Sequence, residues 1–310
     1  MRLVFCGTPA FAVPTLKSLL SAGHDIRLVV TQPDRPQGRA MTVSATPVKA
    51  AALGAGLDVV QPEKIKNNLE FRAQLEAIAP DAIIVVAYGR IIPKWMVDLP
   101  RHGNINLHGS LLPKYRGAAP IQWAVAMGET VTGATTMRID EGLDTGDMLL
   151  QRELPVGPDQ TAEDIYPLLA VQGAELMIET LDGLAAGRIE PRKQDERGAT
   201  LAPMLRREEG QIDFSREAAE IYNRWRGFQP WPGAYSTLGG KKLTIHRMRP
   251  APDSIGAGAG ELRMVDGKLY AGCGSGTAIE LLDVQLEGKK RLPVAEFLRG
   301  AALPDPPRLG

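Results

Sequence analysis

"RLVFCGTPAFAVPTLKSLLSAGHDIRLVVTQP", residues 2–33, carries the fold. "RLVFCG" (2–7) is a short apolar run ending in glycine, the mark of a buried strand. "AFAVPTLKSLLSAG" (10–23) has helical spacing and closes on a glycine stop. "DIRLVVTQP" (25–33) returns to strand. Strand, helix and strand in so few residues predict a parallel pair joined by a right-handed crossover.

The alternation continues outward. "TPVKAAALGAG" (46–56) reads as helix, "LDVVQP" (57–62) as extended chain and "NNLEFRAQLEAIAP" (67–80) as helix. "DAIIVVAYG" (81–89) and "GNINLHG" (103–109) are further strands. "AAPIQWAVAMG" (118–128) is helical, "TGATTMRID" (132–140) and "DMLLQRELPV" (147–156) are strands, and 161–187 is a long helix. Thr161 with Asp164 resembles a capping box, and Pro167 is a candidate kink. The expected class is α/β: a Rossmann-like, mostly parallel sheet with helices on both faces. After Gly187 the texture changes. Residues 188–210 are polar and read as a linker between a 1–187 catalytic domain and a 211–310 domain of short, Gly- and Pro-bounded runs. Those runs predict a C-terminal β-barrel of OB-like type.

Bulk properties exclude some classes. No apolar run reaches the ~18 residues that span a bilayer. The start of the chain, broken by Gly and Pro, is no signal peptide, so a cytoplasmic location without membrane contact is expected. Cys6 and Cys273 fit no zinc or redox spacing, so neither a disulfide nor a metal is expected. The net charge is zero, with residues 204–310 carrying 16 Lys+Arg against 13 Asp+Glu. That gives no global nucleic-acid footprint.

"NINLHGSLLPKYRGAAP" (104–120) is where chemistry enters. With period-two alternation, Asn104, Asn106 and His108 share one strand face, and His108 comes last, at the carboxyl end where α/β sheets bind ligands. The plain alternative is that these side chains fix a loop. "GLDTGD" (142–147) adds Asp144 in a Gly-flanked loop that could lie above the same edge. Asn, His and Asp suit acyl or formyl transfer: a donor for a developing oxyanion, a group that donates a proton, and a carboxylate that holds the imidazolium. No G-x-S-x-G elbow occurs, so the nucleophile belongs to the substrate. After the first strand only Gly7 fits a dinucleotide fingerprint and Pro9 intrudes, which argues against NAD.

"NINLHGSLLPKYRGAAPIQWAV" with "GLDTGDML" resembles the signature of the 10-formyltetrahydrofolate-dependent formyltransferases. "MRLVFCGTPAFAVPTLKSL", "VVTQPDRPQGR" and "FQPWPGAY" narrow the resemblance, over the whole chain, to the branch that formylates charged initiator tRNA. The resemblance implies Asn106, His108 and Asp144 as catalytic residues. It implies 10-formyltetrahydrofolate as cosubstrate, held by Ser110, Leu111, Leu112 and Pro113, by Arg90, Ile91 and Ile92, and near Asp140. Ordinary packing competes with ligand contact for Tyr88 and Ile91. Asn104, a repeat deeper, is given a structural role.

The same resemblance implies tRNA contact by the loop 32–47, with Arg39 first and Arg35 next. Related enzymes often carry lysines after that arginine, where this chain has Ala40, Met41 and Thr42. In the C-terminal domain, Lys241, Arg247 and Arg249 are candidates on one strand face by parity, with Lys242 facing away. Trp231 is expected as a packing anchor. A monomer is expected. The rival readings are a folate-dependent formyltransferase acting on an amino sugar nucleotide, a glycinamide ribonucleotide formyltransferase, which would lack the C-terminal domain, and a non-catalytic tRNA-binding protein.

Overall fold

Among the described residues, the first half of the chain contributes nine strands: β1 (Arg2–Gly7), β2 (Asp25–Val30), β3 (Arg35–Gln37), β4 (Thr42–Ser44), β5 (Val59–Val60), β6 (Ala82–Val86), β7 (Asn104–His108), β8 (Val131–Arg138) and β9 (Met148–Pro155). Seven of them form one sheet in the order β5-β2-β1-β6-β7-β8-β9, while β3 and β4 pair as a separate hairpin. The structure is a computed structural model and describes residues 1–37, 42–252, 254–300 and 303–310. The chain divides into two compact units. One holds Met1–Pro120, Val131–Pro155 and Ile165–Pro203, the other Ile121–Thr130, Val156–Asp164 and Met204–Gly310.

In the first unit, the five strands from β5 to β7 run parallel, and β8 turns back antiparallel on β7. The central strands β1 and β6 are almost wholly buried and read as continuous apolar runs, as strands covered on both faces must. The chain steps from β1 to β2 and β5 in one direction, then from β6 to β7 in the other. The order therefore reverses between β1 and β6, and the carboxyl ends there are the natural place for a ligand.

The helices of this unit are α1 (Val13–Ser21), α2 (Pro47–Gly54), α3 (Leu69–Ile78), α4 (Lys94–Val97) and most of α6 (Ala162–Ala185). Their starts follow local chemistry. Thr46 accepts from Lys49 N at the head of α2, and Asn68 accepts from Phe71 N at the head of α3. Helix α6 packs closely under β7 because residue 173 is glycine. A Cβ there would lie 2.7 Å from Leu107 Cδ2, on the strand that ends in His108. Pro167 sits inside α6 without interrupting its span.

The second unit is a β-barrel. Its strands are β10 (Tyr235–Leu238), β11 (Lys241–Pro250), β12 (Leu262–Val265), β13 (Lys268–Gly272), β14 (Ala278–Leu286) and β15 (Leu292–Pro293). The main path is β10-β11-β14-β13-β12, with β15 on β14. The chain end lies between the two edge strands. Leu309 N donates to Gly260 O at 2.8 Å, and Gly310 N donates to Thr237 O at 3.1 Å. Bonding at both edges removes exposed strand edges.

Two helices in this region were not anticipated from the run of short strands: α7 (Ala218–Gly227) and α8 (Val294–Gly300). In α7, Ala218 and Ile221 enter the barrel core at i, i+3 spacing, too short a pattern to stand out. Helix α5 (Pro120–Ala126) joins this unit, where Trp123 meets Phe228 edge-on at 5.4 Å. The buried Arg226 donates to the carbonyls of Gly157 and Gln160.

The capping box at the head of α6 is formed: Thr161 N donates to Asp164 Oδ2 at 2.9 Å, and Asp164 N to Thr161 Oγ1 at 3.3 Å. Bonds from the Thr161 backbone and hydroxyl hold the Asp164 carboxyl below its usual range. Stability linked to a depressed carboxyl is present above the unfolded value and lost as pH falls through the folded one. Thr161→Ala should cost about 1 kcal/mol near neutrality. Its melting-temperature deficit should shrink as pH is lowered below the ordinary carboxylate range; thermal scans of both proteins check this, and a deficit independent of pH contradicts it.

Candidate active site

The site forms where β7 ends. Register sets Asn106 beside Val85 on β6 and Met137 on β8, and His108 beside Thr135. Asn104, the deeper residue, donates to the carbonyls of Met96 and Val97, so it ties α4 to the sheet. Asn106 is half-buried, and its side chain has no hydrogen-bond partner among the described residues. A partly exposed carboxamide at a sheet's ligand end can donate to a substrate.

His108 is 5% exposed. Its Nε2 lies 2.9 Å from the carbonyl oxygen of Tyr115, and its Nδ1 lies 3.6 Å from Asp144 Oδ2. The carbonyl can only accept, so Nε2 carries a proton. The Nδ1 contact is of ion-pair length rather than a close hydrogen bond. Asp144 Oδ2 also accepts the N–H of Gly117 at 2.9 Å, while Oδ1 has no partner among the described residues. Asn106, His108 and Asp144, 38 residues apart at the extremes, thus lie around one strand end.

The loop that carries Asp144 is tightly specified. Asp140 accepts from Gly142 N and from the Thr145 hydroxyl, so its carboxylate is occupied in closing the loop. A Cβ on residue 146 would lie 1.9 Å from the carbonyl oxygen of Arg138, so only glycine fits there. Asp144 itself takes a left-handed backbone, φ +52°.

Ser110 to Pro113 wrap over β8. The hydroxyl of Ser110 donates to Lys114 O at 2.6 Å, and Leu112 is buried against Met137 and Met148. Thr135 on β8 donates to Ser110 O and accepts from Leu112 N, and Gln151 donates to both Thr135 Oγ1 and Leu112 O. The side chains of Ser110 and Leu112 are therefore engaged in holding the loop's shape. At the end of β6, Tyr88 and Ile92 belong to the core, and burial raises the Tyr88 hydroxyl well above its usual range. Ile91 is 91% exposed, and Arg90 donates to Gln32 Oε1 and Glu63 O.

Several contributors carry no sequence signal of their own: Thr135, Gln151, Tyr115, Arg116, Gly117 and Gln194. Tyr115, Arg116 and Gly117 lie inside the 104–120 motif, but their residue types point to no particular role there. Gln194 lies in the segment expected as a linker. Up to Pro203 that segment belongs to the first unit: Arg192 and Met148 exchange both backbone bonds, and Tyr115 N donates to Thr200 Oγ1.

Among the candidate tRNA residues, Arg39 lies outside the described residues. Arg35 is exposed on β3. Simple alternation does not hold along β11. Register shifts on either side of Arg247 mark a bulge, so Leu243, Ile245 and Met248 all point into the core. Arg247 and Arg249 consequently leave the barrel on the side of Lys242, and Lys241 has the inward parity at the strand's start. Arg247 lies 3.6 Å from Asp283, and Arg249 pairs with the buried Glu280 at 2.8 Å. Lys242 stands 4.0 Å over the ring of Tyr235. Trp231, expected as a packing anchor, is 55% exposed. No helix among the described residues is long and apolar enough to cross a membrane.

Comparison with known proteins agrees with this geometry. The formyl transferase model matches residues 1–181, and the model of the formyl transferase C-terminal domain matches 204–302. The chain is 72% identical, over the full length of both, to a methionyl-tRNA formyltransferase of Acidobacterium capsulatum. It is 62% identical to that of Koribacter versatilis, over 97% of this chain and 96% of the relative. Solved structures share the fold. An N-formyltransferase of Helicobacter canadensis, solved with folinic acid and dTDP-3-aminofucose, superposes with TM-score 0.68 at 20% identity, over 91% of this chain and 98% of that one. A methionyl-tRNA formyltransferase of Clostridium thermocellum gives 0.54 at 17%, over 92% and 98%. With both halves matched in order and the strand-end Asn, His and Asp brought together, the chain belongs to the formyl transferase family, and its full-length kinship is with methionyl-tRNA formyltransferases.

Proposed function

We propose that the protein transfers the formyl group of 10-formyltetrahydrofolate to the α-amino group of methionyl initiator tRNA. The observation that carries the reading is the 72% identity, end to end, with a methionyl-tRNA formyltransferase. The half-buried carboxamide of Asn106, beside His108 and Asp144, gives it a chemical basis.

The folate supplies an electrophilic formyl carbon. Asn106 Nδ2 donates to the formyl oxygen as that oxygen gains charge. His108, held through Nε2 by the Tyr115 carbonyl and 3.6 Å through Nδ1 from Asp144, places its imidazole edge near the same charge. Asp144 Oδ1 receives the proton that the attacking amine gives up, directly or through water, and passes it to N10 as the bond between the formyl carbon and N10 breaks and tetrahydrofolate leaves. The amine needs no strong base, because an α-amino group has a pKa of about 7.7–8.0 and esterification lowers it. Cys6 is no rival nucleophile: it is fully buried, and burial raises its thiol far above the usual range. The folate would lie along the ends of β6 and β7, with the exposed Ile91 and the backbone of 88–92 on one side. Ser110–Pro113 and the 138–142 segment would flank the other. Arg35, Arg39, Lys241, Arg247 and Arg249 would meet the tRNA, and the protein would act as a cytoplasmic monomer.

The test is an assay of purified protein with 10-formyltetrahydrofolate and three amines: initiator Met-tRNA, elongator Met-tRNA and a dTDP-amino sugar. Formylation of the initiator species, well ahead of the other two, is expected. Preference for the sugar nucleotide would overturn the reading.

A further inference from the structure

The loop that presents Asp144 is held from outside. Gln194 is 8% exposed, and its Nε2 donates to the carbonyl of Asp144 at 2.7 Å and to that of Gly146 at 2.8 Å. Both amide protons are therefore used on the loop, one on each side of Thr145. The amide oxygen of Gln194 accepts Arg116 Nε–H at 3.0 Å. Arg116, 5% exposed, is held in turn by both oxygens of Glu196, at 2.9 and 2.8 Å. The neighbouring Gly117 N–H donates to the Asp144 carboxylate. Residue 144 is thus fixed at two points: Gln194 holds its backbone, and Gly117 holds its Oδ2.

Such holding is needed because Asp144 has a left-handed backbone without being glycine. That conformation costs free energy and persists only where the surroundings impose it. The bonds from Asp140 close the loop at Gly142 and Thr145 but do not reach residue 144. Gln194 is the side chain that bonds the strained residue's own carbonyl. Its place is fixed by the paired backbones of Arg192 and Met148, two residues before it. A side chain locked by its own packing and bonded to a reacting group's backbone sets that group's geometry.

We infer that Gln194 is a positioning residue for Asp144, an amide clamp oriented by the Arg116–Glu196 pair, and that formyl transfer depends on it although it touches neither substrate. The inference rests on the catalytic role proposed for Asp144. It gives a purpose to the buried side chains of Gln194 and Arg116, which the reaction does not otherwise use.

Gln194→Glu tests it with little change of shape. The variant keeps an acceptor for Arg116 and replaces both donors with an oxygen facing two carbonyls. A displacement of the carboxylate by about 1 Å should lower kcat about 10²-fold. KM for both substrates should stay unchanged. Gln194→Ala should act in the same direction. The decisive readout is a double-mutant cycle with Asp144→Asn, run well below the melting temperature of each variant. If the clamp works through Asp144, adding Gln194→Ala to Asp144→Asn should cost no more than about twofold. Equal losses in both backgrounds, or a wild-type kcat in Gln194→Glu, would overturn the clamp alone. A wild-type kcat in Asp144→Asn would instead overturn the catalytic reading on which it stands.

Discussion

His108→Ala is expected to lower the single-turnover rate of formyl transfer by about 10³-fold, the scale of losing a preorganised polar group at the reacting centre. The ring is buried, with Nε2 2.9 Å from the Tyr115 carbonyl and Nδ1 3.6 Å from the Asp144 carboxylate. The Tyr115 carbonyl would also lose the His108 donor, and losing one hydrogen bond costs about 0.5–1.5 kcal/mol. Part of any loss could therefore come from unfolding. Rates should be taken on protein whose melting curve shows it folded, with tRNA affinity measured in parallel. Retained affinity with lost turnover is the expected pair. A turnover near wild type would remove His108 from the mechanism.

Asp144→Asn should cost nearly as much, about 10²–10³-fold in kcat. The substitution is nearly isosteric, and the amide oxygen still accepts from Gly117 N–H. What vanishes is the negative charge 3.6 Å from His108 Nδ1 and the acceptor at Oδ1. With Oδ2 replaced by the amide oxygen, the position of Oδ1 becomes an NH₂ that can only donate, so the amine proton has no receiver there. KM for the folate should change little, because the substitution alters a group at the reacting centre and leaves the folate's binding surface in place. A variant with raised KM and intact kcat would show that Asp144 serves binding instead.

Much of this protein was legible in one dimension because the signals were local. Runs such as "AIIVV" at 82–86 are buried on both faces, so apolar continuity alone marks them as central strands. The capping box of Thr161 and Asp164 acts within three residues. Asn106 and His108 stood out because alternation put polar groups where a strand should be apolar. The helix α7 and the bulge at Arg247 were not legible. The first carries too few turns to show a period, and one added residue reverses every later side chain.

The residues that hold the site were hidden for a different reason. Gln194 is an ordinary polar residue in a charged stretch, and nothing near it announces a partner 48–50 residues upstream. Thr135 and Gln151 read as ordinary strand residues until the pairing of β7, β8 and β9 aligns them under the Ser110–Pro113 loop. Amino-acid order determined the strand and helix alternation, the polar strand end and the types of group available for chemistry, since these depend on period and propensity. The tertiary structure alone decided that Asp144 faces His108, that Asp140 spends its carboxylate on its own loop, and that a segment resembling a linker clamps the loop of Asp144. Those outcomes depend on hydrogen bonds between distant segments, and such bonds exist only once the sheet has set their distances.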